Sequence, residues 1–438
     1  ITGRARTSEL GAWNFPQAVS FDPRTPMRVE IINTGTELML GGTVNTHLAF
    51  IARELFPLGL RVQRQVTVPD GEAIRDAVRD TFGNADIVLV TGGLGPTTDD
   101  ITRDIVAELL GLKLEHDEEI WRAIQERFAR RGLKTNDRVK LQALRPREAT
   151  VLWNPHGTAP GLHFPAIEER GTPHIFLLPG PPRELMPMVR EKLVPILAAL
   201  LPHGAQHEMR TFRVLGIGES VVEEAVGEAL IAMGLEVGYC ARPGEVDVRL
   251  IGAAPVLDRA AMHVRERLGK WIFTSDEREL PEVVVEKLTA LGKTIATAES
   301  CTGGFIANQL TNVPGASKVF LAGYITYANS AKTAALDVDA ALIAQHGAVS
   351  EPVARQMAEG ALEKSDATFA LATTGIAGPD GGTAEKPVGT VFIALAECGA
   401  ETIVLPEKFI TDRETFKLRV SQTALDLLLR RLDGRPQS

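Results

Sequence analysis

Glu299-Ser300-Cys301-Thr302-Gly303-Gly304 places a hydroxyl and a thiol on a glycine-ended turn directly after the apolar run 294–298. A strand, a small polar turn and a helix together present a nucleophile among backbone amides that can hold an oxyanion. Ser300 needs a base, and no histidine lies near it in sequence. Lys332, in Tyr327-Ala328-Asn329-Ser330-Ala331-Lys332 after another apolar run, is the natural candidate. A lysine withdrawn from water gives up its proton more readily and can take one from serine. The same residues also suit a helix-capping serine and a solvated lysine, which spacing does not separate. Cys301 reads as a small buried thiol beside the working serine.

A second constellation has phosphate chemistry. Gly92-Gly93-Leu94-Gly95-Pro96-Thr97-Thr98-Asp99-Asp100 follows the apolar run 86–90 and precedes a helical pattern starting at Ile101. Glycines let the backbone approach an anion, and helix-opening amides favour it. Asp99 and Asp100, with Glu37 in Asn33-Thr34-Gly35-Thr36-Glu37, suit a divalent ion bridging phosphate oxygens, although either aspartate also suits a helix cap. Asn154–Gly161 (NPHGTAPG) and Pro179-Gly180-Pro181-Pro182 are two more loops of this type. A third constellation, Thr374-Gly375-Ile376-Ala377-Gly378-Pro379-Asp380-Gly381-Gly382, ends another apolar run and reads as an anion loop or as a tight structural turn. Arg413 offers a forked donor to phosphate or carboxylate.

Missing motifs narrow the chemistry. GxxxxGK[ST], GxGxxG before a helix, HExxH, GxSxG and SxxK are all absent, which weakens P-loop, Rossmann, zincin, α/β-hydrolase and β-lactamase readings together. The net charge is −9, from 47 basic and 56 acidic residues, and disfavours a bulk polyanion as partner. Cys240, Cys301 and Cys398 lie far apart, so neither a disulfide framework nor a cysteine zinc site is expected, and a reducing, cytoplasmic setting is.

These residues need elements to hold them, and 438 residues suggest about two to four domains. With 44% apolar and 24% charged residues the composition is that of a globular protein. The nine-residue apolar run 193–201 contains Pro195 and is too short to span a membrane. Residues 1–26 read as a flexible leader. Strand patterns at 29–32, 86–90 and 175–178 alternate with helical ones at 45–58, 101–110 and 184–201, predicting a mostly parallel α/β sheet. Ligands gather at the carboxyl ends of such strands. Residues 205–275 predict a β-α-β-β-α-β module of ferredoxin-like or KH-like type. Its turn Gly216-Ile217-Gly218-Glu219 leads into Glu223, Glu224 and Glu228, so a spacer or dimerisation role is preferred to RNA binding. A second α/β pattern follows from 276, with strands at 294–298, 319–327, 368–374 and 390–395 and a last helix at 414–432.

The motif order resembles a known family. NTGTEL, GGLGPTTDD, NPHGTAPG and LLPGPP are similar to the N-terminal domain of the competence/damage-inducible CinA family, itself similar to molybdopterin-binding proteins. ESCTGG, VPGAS, YxxxxK, TGIAGPDGG, KPVGTV and TDRETFKLR resemble its C-terminal PncC-type amidohydrolase domain. The resemblance implies an α/β protein with a molybdopterin-binding-like domain at 27–204, a KH-like module at 205–275 and an amidohydrolase domain at 276–438. It implies deamidation of nicotinamide mononucleotide, with Ser300 as nucleophile and Lys332 as base. Ser317, Tyr327, Thr374 and Arg413 then complete the catalytic pocket, with Thr302, Gly303, Gly304, Gly375 and Gly378 around the substrate. For the N-terminal domain it implies metal-dependent hydrolysis of ADP-ribose. Gly35, Gly92, Gly93, Gly95, Thr97, Gly157, Thr158 and Gly180 are the candidate phosphate contacts, and chemistry alone puts a Mg2+-like ion on Asp99, Asp100 and Glu37. No cofactor is expected for the amidase domain, and a homodimer with neither membrane nor nucleic-acid partner is expected. His47, Ala328 and Pro181 depart from the usual family residues. The rival expectation is a molybdopterin- or nucleotide-binding protein working with DNA uptake or repair partners.

Overall fold

The computed structural model describes residues 27–201 and 208–436; the leader 1–26 expected from the sequence lies outside them. The chain divides into two compact units at 206/207, each described separately. Among the described residues no helix is long and apolar enough to cross a membrane.

The first unit is built on a six-stranded sheet. Its strands are β1 (Arg28–Thr34), β2 (Arg61–Val68), β3 (Ile87–Thr91), β6 (Thr150–Leu152), β7 (Gly161–Phe164) and β8 (His174–Leu178), ordered β2-β1-β3-β8-β7-β6. A separate antiparallel pair, β4 (Leu114–His116) and β5 (Leu144–Pro146), lies beside it. The first four strands of the order run parallel, and β7 and β6 complete it antiparallel. β3 is buried throughout because both its faces are covered. Val88 and Val90 join Ile105, Val106 and Phe164 on one side, while Ile87 and Leu89 join Ile51, Leu55 and Phe176 on the other. That double burial explains why its sequence is continuously apolar rather than alternating. The chain passes from β1 to β2 on one side and returns to β3 on the other, so the order reverses at β1, where ligand crevices form. The expected single helix at 184–201 is instead Pro182–Met188, a wider π-type turn Val189–Leu193, and Val194–Leu200. Pro187 and Pro195 each remove a helical N–H, and the turn absorbs the mismatch.

The second unit holds two modules. β9 (Glu208–Leu215), β10 (Glu236–Arg242), β11 (Glu245–Gly252) and β12 (Ile272–Thr274) form an antiparallel sheet ordered β10-β11-β9-β12, with helices Glu219–Ala232 and Ala254–Leu268 between strands, as the KH-like pattern requires. Glu219, Glu223, Glu224 and Glu228 are exposed. β13 (Ile295–Glu299), β14 (Phe320–Ile325), β15 (Phe369–Gly375), β16 (Thr390–Glu397) and β17 (Ile403–Lys408) form the other sheet, ordered β14-β13-β15-β16-β17. β14, β13 and β15 run parallel, and the order reverses at β13. One face of this sheet carries Ile295, Phe369, Leu371, Ile393 and Leu395. The other carries Ala296, Ala298, Ala370, Ala372, Ala394 and Ala396, against Ala354, Met357, Ala358 and Ala361 of the helix Glu351–Ser365. Small side chains on both sides let this helix lie close. A Cβ on its Gly360 would meet the backbone of Leu336. The modules are joined by Arg213 to Glu279 (2.8 Å) and by Gln422 Nε2 donating to Glu245 Oε1 (2.9 Å).

Between β7 and β8 the ring of His163 stacks on Phe176 at 4.1 Å, and its Nε2 lies 3.1 Å from His174 Nδ1. Burial first, then the neighbouring His174, pushes the His163 pKa from 6.5 down to about 4. The folded value lies below the unfolded one, so this contribution is complete above about 6.5 and is lost as the pH falls through about 4. In a series of urea unfolding curves across that range, His163→Gln is expected to flatten the acid loss of first-unit stability relative to the parent chain. Parallel losses in both proteins would show that other groups carry it.

Candidate functional site

Each unit presents a site at the carboxyl ends of its parallel strands. In the second unit, β13 ends in Glu299, whose fully buried carboxylate accepts the amides of Gly304 (3.0 Å), Ile306 (3.1 Å) and Ala307 (2.9 Å). Those bonds curl residues 300–304 back over the strand end, with Gly303 (φ 62°) and Gly304 (φ 90°) in the left-handed region. Ser300 is held on the other side, its amide donating to Thr373 O at 2.9 Å. Lys332, on the helix Asn329–Leu336 after β14, reaches across and places Nζ 3.0 Å from Ser300 Oγ. The side chain is buried at 1% exposure, and Nζ also donates to Thr326 O (2.8 Å) and Tyr327 O (3.3 Å). Loss of water lowers the Lys332 pKa from its usual value, outweighing the opposite effect of the Cys301 thiol. Nζ thus has three polar partners, two backbone carbonyls and the serine hydroxyl; once deprotonated, the amine would keep two N–H groups for the carbonyls and have a lone pair for the hydroxyl.

Cys301 is buried, and burial pushes its thiol up to about 12, so it is no competing nucleophile. Arg413 opens the last helix, Arg413–Leu432, and donates to Gly378 O (2.9 Å) and to Tyr327 Oη (2.8 Å). Tyr327 and Arg413 are both exposed beside the Ser300–Lys332 pair. Thr374 is buried with its hydroxyl donating to Ala348 O at 2.8 Å, and Gly375 lies close against Thr390 and Val391. Thr302 is fully buried, its hydroxyl 2.8 Å from that of Thr373, so it shapes the turn and does not face a ligand. Ser317 sits exposed on the turn Ala316–Lys318, with no polar contact to the pair among the described residues. Glu299 was not singled out in the sequence, although a carboxylate between an apolar run and a glycine turn was the available signal.

In the first unit, β1, β3 and β8 end side by side and open a cleft of about 520 Å³. Gly35, Gly92, Gly93, Gly95, Thr158 and Gly180 line it, as do Glu37, Asp99 and Asp100. Gly92 is needed where it stands: its φ is 103°, and a Cβ there would lie 2.6 Å from Thr34 O. Thr97 faces inward to its own loop, with its amide (2.9 Å) and hydroxyl both on the Asp100 carboxylate. Gly157 lies outside this cleft and lines a neighbouring pocket, and the buried Glu184 carboxylate occupies the space where its Cβ would stand. Asp70, Gln142 and Glu184 also line the cleft and were not singled out. Asp70 follows β2 and was reachable by the same strand-end argument, whereas nothing local marks Gln142.

Among the described residues no group of three His, Cys, Asp or Glu side chains is assembled to hold a metal. The expected ligands Glu37, Asp99 and Asp100 therefore do not converge as one set, and a magnesium-type ion, which takes one or two carboxylates and fills its shell with water and substrate phosphate, would have at most part of that set. Below the cleft floor, Asn33 Nδ2 donates to Thr91 Oγ1 (2.7 Å) and Gln65 Nε2 to Asn33 Oδ1 (2.7 Å). His47 Nδ1 lies 3.0 Å from Thr91 Oγ1, and a bond to the Gly180 backbone partly offsets the burial that lowers its pKa. His47, the departure from the family pattern, thus ties the helix His47–Leu55 to the glycine-proline loop.

Three family models match the chain: CinA C-terminal domain at residues 277–432, probable molybdopterin binding domain at 30–199, and damage-inducible protein CinA KH domain at 209–274. A CinA-like protein of Akkermansia muciniphila is 48% identical over 404 residues, covering 92% of this chain and 97% of that protein. A CinA-like protein of Citrifermentans bemidjiense is 41% identical over 413 residues, covering 93% and 98%. The crystal structure of the competence/damage inducible protein CihA from Agrobacterium tumefaciens is 42% identical, with a TM-score of 0.34, and covers 35% of this chain and 93% of that one. With all three domain types in order and such identity along nearly its whole length, the chain belongs to the CinA family of competence/damage-inducible proteins.

Proposed function

We propose that the C-terminal domain is a serine–lysine amidase that hydrolyses the carboxamide of nicotinamide mononucleotide, and that the N-terminal domain is a metal-dependent ADP-ribose pyrophosphatase. The observation that carries the first reading is the buried, water-poor Lys332 amine 3.0 Å from Ser300 Oγ. Ser300 Oγ attacks the carboxamide carbon as its proton passes to Lys332 Nζ. The tetrahedral intermediate collapses, the C–N bond breaks, and Lys332 returns the proton to the departing nitrogen, which leaves as ammonia. Water, deprotonated by the same amine, cleaves the acyl-enzyme to nicotinate mononucleotide and restores Ser300. Arg413, exposed and bonded to Tyr327 Oη, would bind the nucleotide phosphate. The N-terminal reading is supported by the glycine-lined cleft with Glu37, Asp99 and Asp100 on its wall. A bound divalent ion there would neutralise charge on the pyrophosphate, and the glycine turns would hold its oxygens. The protein then works in the cytoplasm, as a homodimer, in pyridine-nucleotide recycling. The exposed acidic helix of the KH-like module supports a non-nucleic-acid role.

Ammonia release from nicotinamide mononucleotide by the metal-free protein tests the first reading. Ser300→Ala should abolish release and Lys332→Ala should lower kcat by about 10²–10⁴-fold. Lys332→Arg should fail to rescue, because guanidinium keeps its proton. Cys301→Ala should stay within a few-fold of the parent, and the opposite pattern for Ser300 and Cys301 would identify the wrong nucleophile. Since burial lowers the Lys332 pKa, kcat should rise with pH and level off below the ordinary lysine range, the limb vanishing in Lys332→Ala.

For the N-terminal domain, ADP-ribose cleavage should require a divalent cation and fall about 100-fold or more in Asp99→Asn/Asp100→Asn. Deamidation should be unchanged by the chelator and by the double substitution. Full metal-dependent cleavage by that variant would move the ion elsewhere.

A further inference from the structure

The loop Asn154–Gly161 has a second side. Asn154 Oδ1 accepts the amides of His156 (3.0 Å) and Gly157 (2.8 Å), while its Nδ2 donates to Ala159 O (2.9 Å) and Glu184 Oε2 (2.8 Å). From the helix Glu118–Arg130, the Arg127 guanidinium grips the same loop at Pro155 O (2.6 Å) and His156 O. The loop is therefore pinned from both sides, and it forms a shared rim between two hollows. On one side lies the glycine-lined cleft, and on the other a pocket of about 370 Å³ to which Trp153, Arg127, Arg130 and Lys192 contribute. Thr158 lines both.

The charges on the two sides differ in sign. The cleft carries Glu37, Asp70, Asp99, Asp100 and Glu184. The pocket carries three bases, and Glu126 is its only lining acid. Arg130 and Lys192 have no ion-pair partner among the described residues. Burial, with the like charges of Arg131, Arg130 and Arg183 nearby, lowers the Arg127 pKa despite the opposing Glu184. Cations that repel one another in a concave site gain most from a dianion, which offers several charge-assisted acceptors at once. The indole of Trp153, 38% exposed, gives the pocket a flat apolar wall.

We propose that this pocket is an anion subsite of the N-terminal cleft, taking a phosphomonoester on a ligand whose pyrophosphate lies against the glycine turns. The inference rests on the pyrophosphate reading of that cleft. It narrows the substrate class from ADP-ribose-like molecules in general to those carrying a further phosphate remote from the pyrophosphate. Phosphate from solution has the same chemistry, and a separate anion site is the competing source.

Trp153 supplies a readout that needs no turnover. Binding of ADP-ribose, ADP-ribose 2′-phosphate and inorganic phosphate to the full chain is followed by tryptophan fluorescence with Mg2+, and Trp153→Phe identifies the signal. The phosphorylated ligand is expected to bind about tenfold or more tighter than ADP-ribose. Inorganic phosphate should erode that advantage without displacing ADP-ribose. Arg130→Ser/Lys192→Ser should bring the two affinities within about twofold while leaving ADP-ribose binding unchanged. Equal affinities in the parent chain, or a preference that survives the double substitution, would overturn the subsite. Phosphate that quenches Trp153 without competing with the phosphorylated ligand would overturn it in favour of a separate anion site. Arg130-dependent phosphate binding with no binding of either ADP-ribose ligand would instead sink the pyrophosphate reading, and the shared ligand with it.

Discussion

A primary amine at 1% exposure is costly to keep, and the C-terminal domain is organised around keeping Lys332 there. Removing an ammonium from water costs several kcal/mol unless it is paired, and a lysine meets that cost most cheaply by losing its proton. Among the described residues no carboxylate bonds to Nζ; its partners are two carbonyls and the Ser300 hydroxyl. A carboxylate would have restored the charge and raised the pKa. The one buried carboxylate nearby, Glu299, is turned away and occupied by three backbone amides. Negative charge is thus used to fix the serine turn, while burial of the amine, with no carboxylate bonded to it among the described residues, lowers its pKa.

The alanine-lined face of the sheet serves the same arrangement. β13 and β15 carry alanine where most parallel strands carry branched residues, so the helix Glu351–Ser365 lies close against them. Bulk is concentrated on the opposite face, with Phe369, Leu371 and Phe416. Close packing on one side and large side chains on the other hold the strand ends in register, and a dyad at hydrogen-bond distance depends on that register.

The N-terminal cleft is held by other means. Its strand ends are capped by turns with no room for side chains, and a polar layer of Asn33, Gln65, Thr91 and His47 runs beneath them. Asn33 and Thr91 are buried and Gln65 and His47 half-buried, and each has a polar partner, which offsets the cost of their burial. The Asn154 loop then separates an acidic cleft from a basic pocket within one wall thickness. The two-signed surface is a property of that wall alone.

The sequence by itself determined the α/β class, the alternation of strands and helices, the three modules in order, and the turns that carry chemistry. These follow from patterns a few residues long: apolar runs for doubly covered strands, and glycines where backbone must turn sharply. The pairing of Ser300 with Lys332 was legible because each residue follows its own strand, and parallel neighbours bring their ends together. The helix Glu351–Ser365 was not legible, because an alanine face carries too little hydrophobic contrast to reveal its period. The break in the helix at 189–193 had its local signal in Pro187 and Pro195, whereas the inward pairing of Thr302 and Thr97 and the placement of Gly157 in the second pocket were decided by tertiary structure alone. Whether a hydroxyl faces a ligand or a neighbour, and whether a lysine is wet or dry, depends on side chains tens of residues away. Packing sets those distances, and no local pattern encodes them.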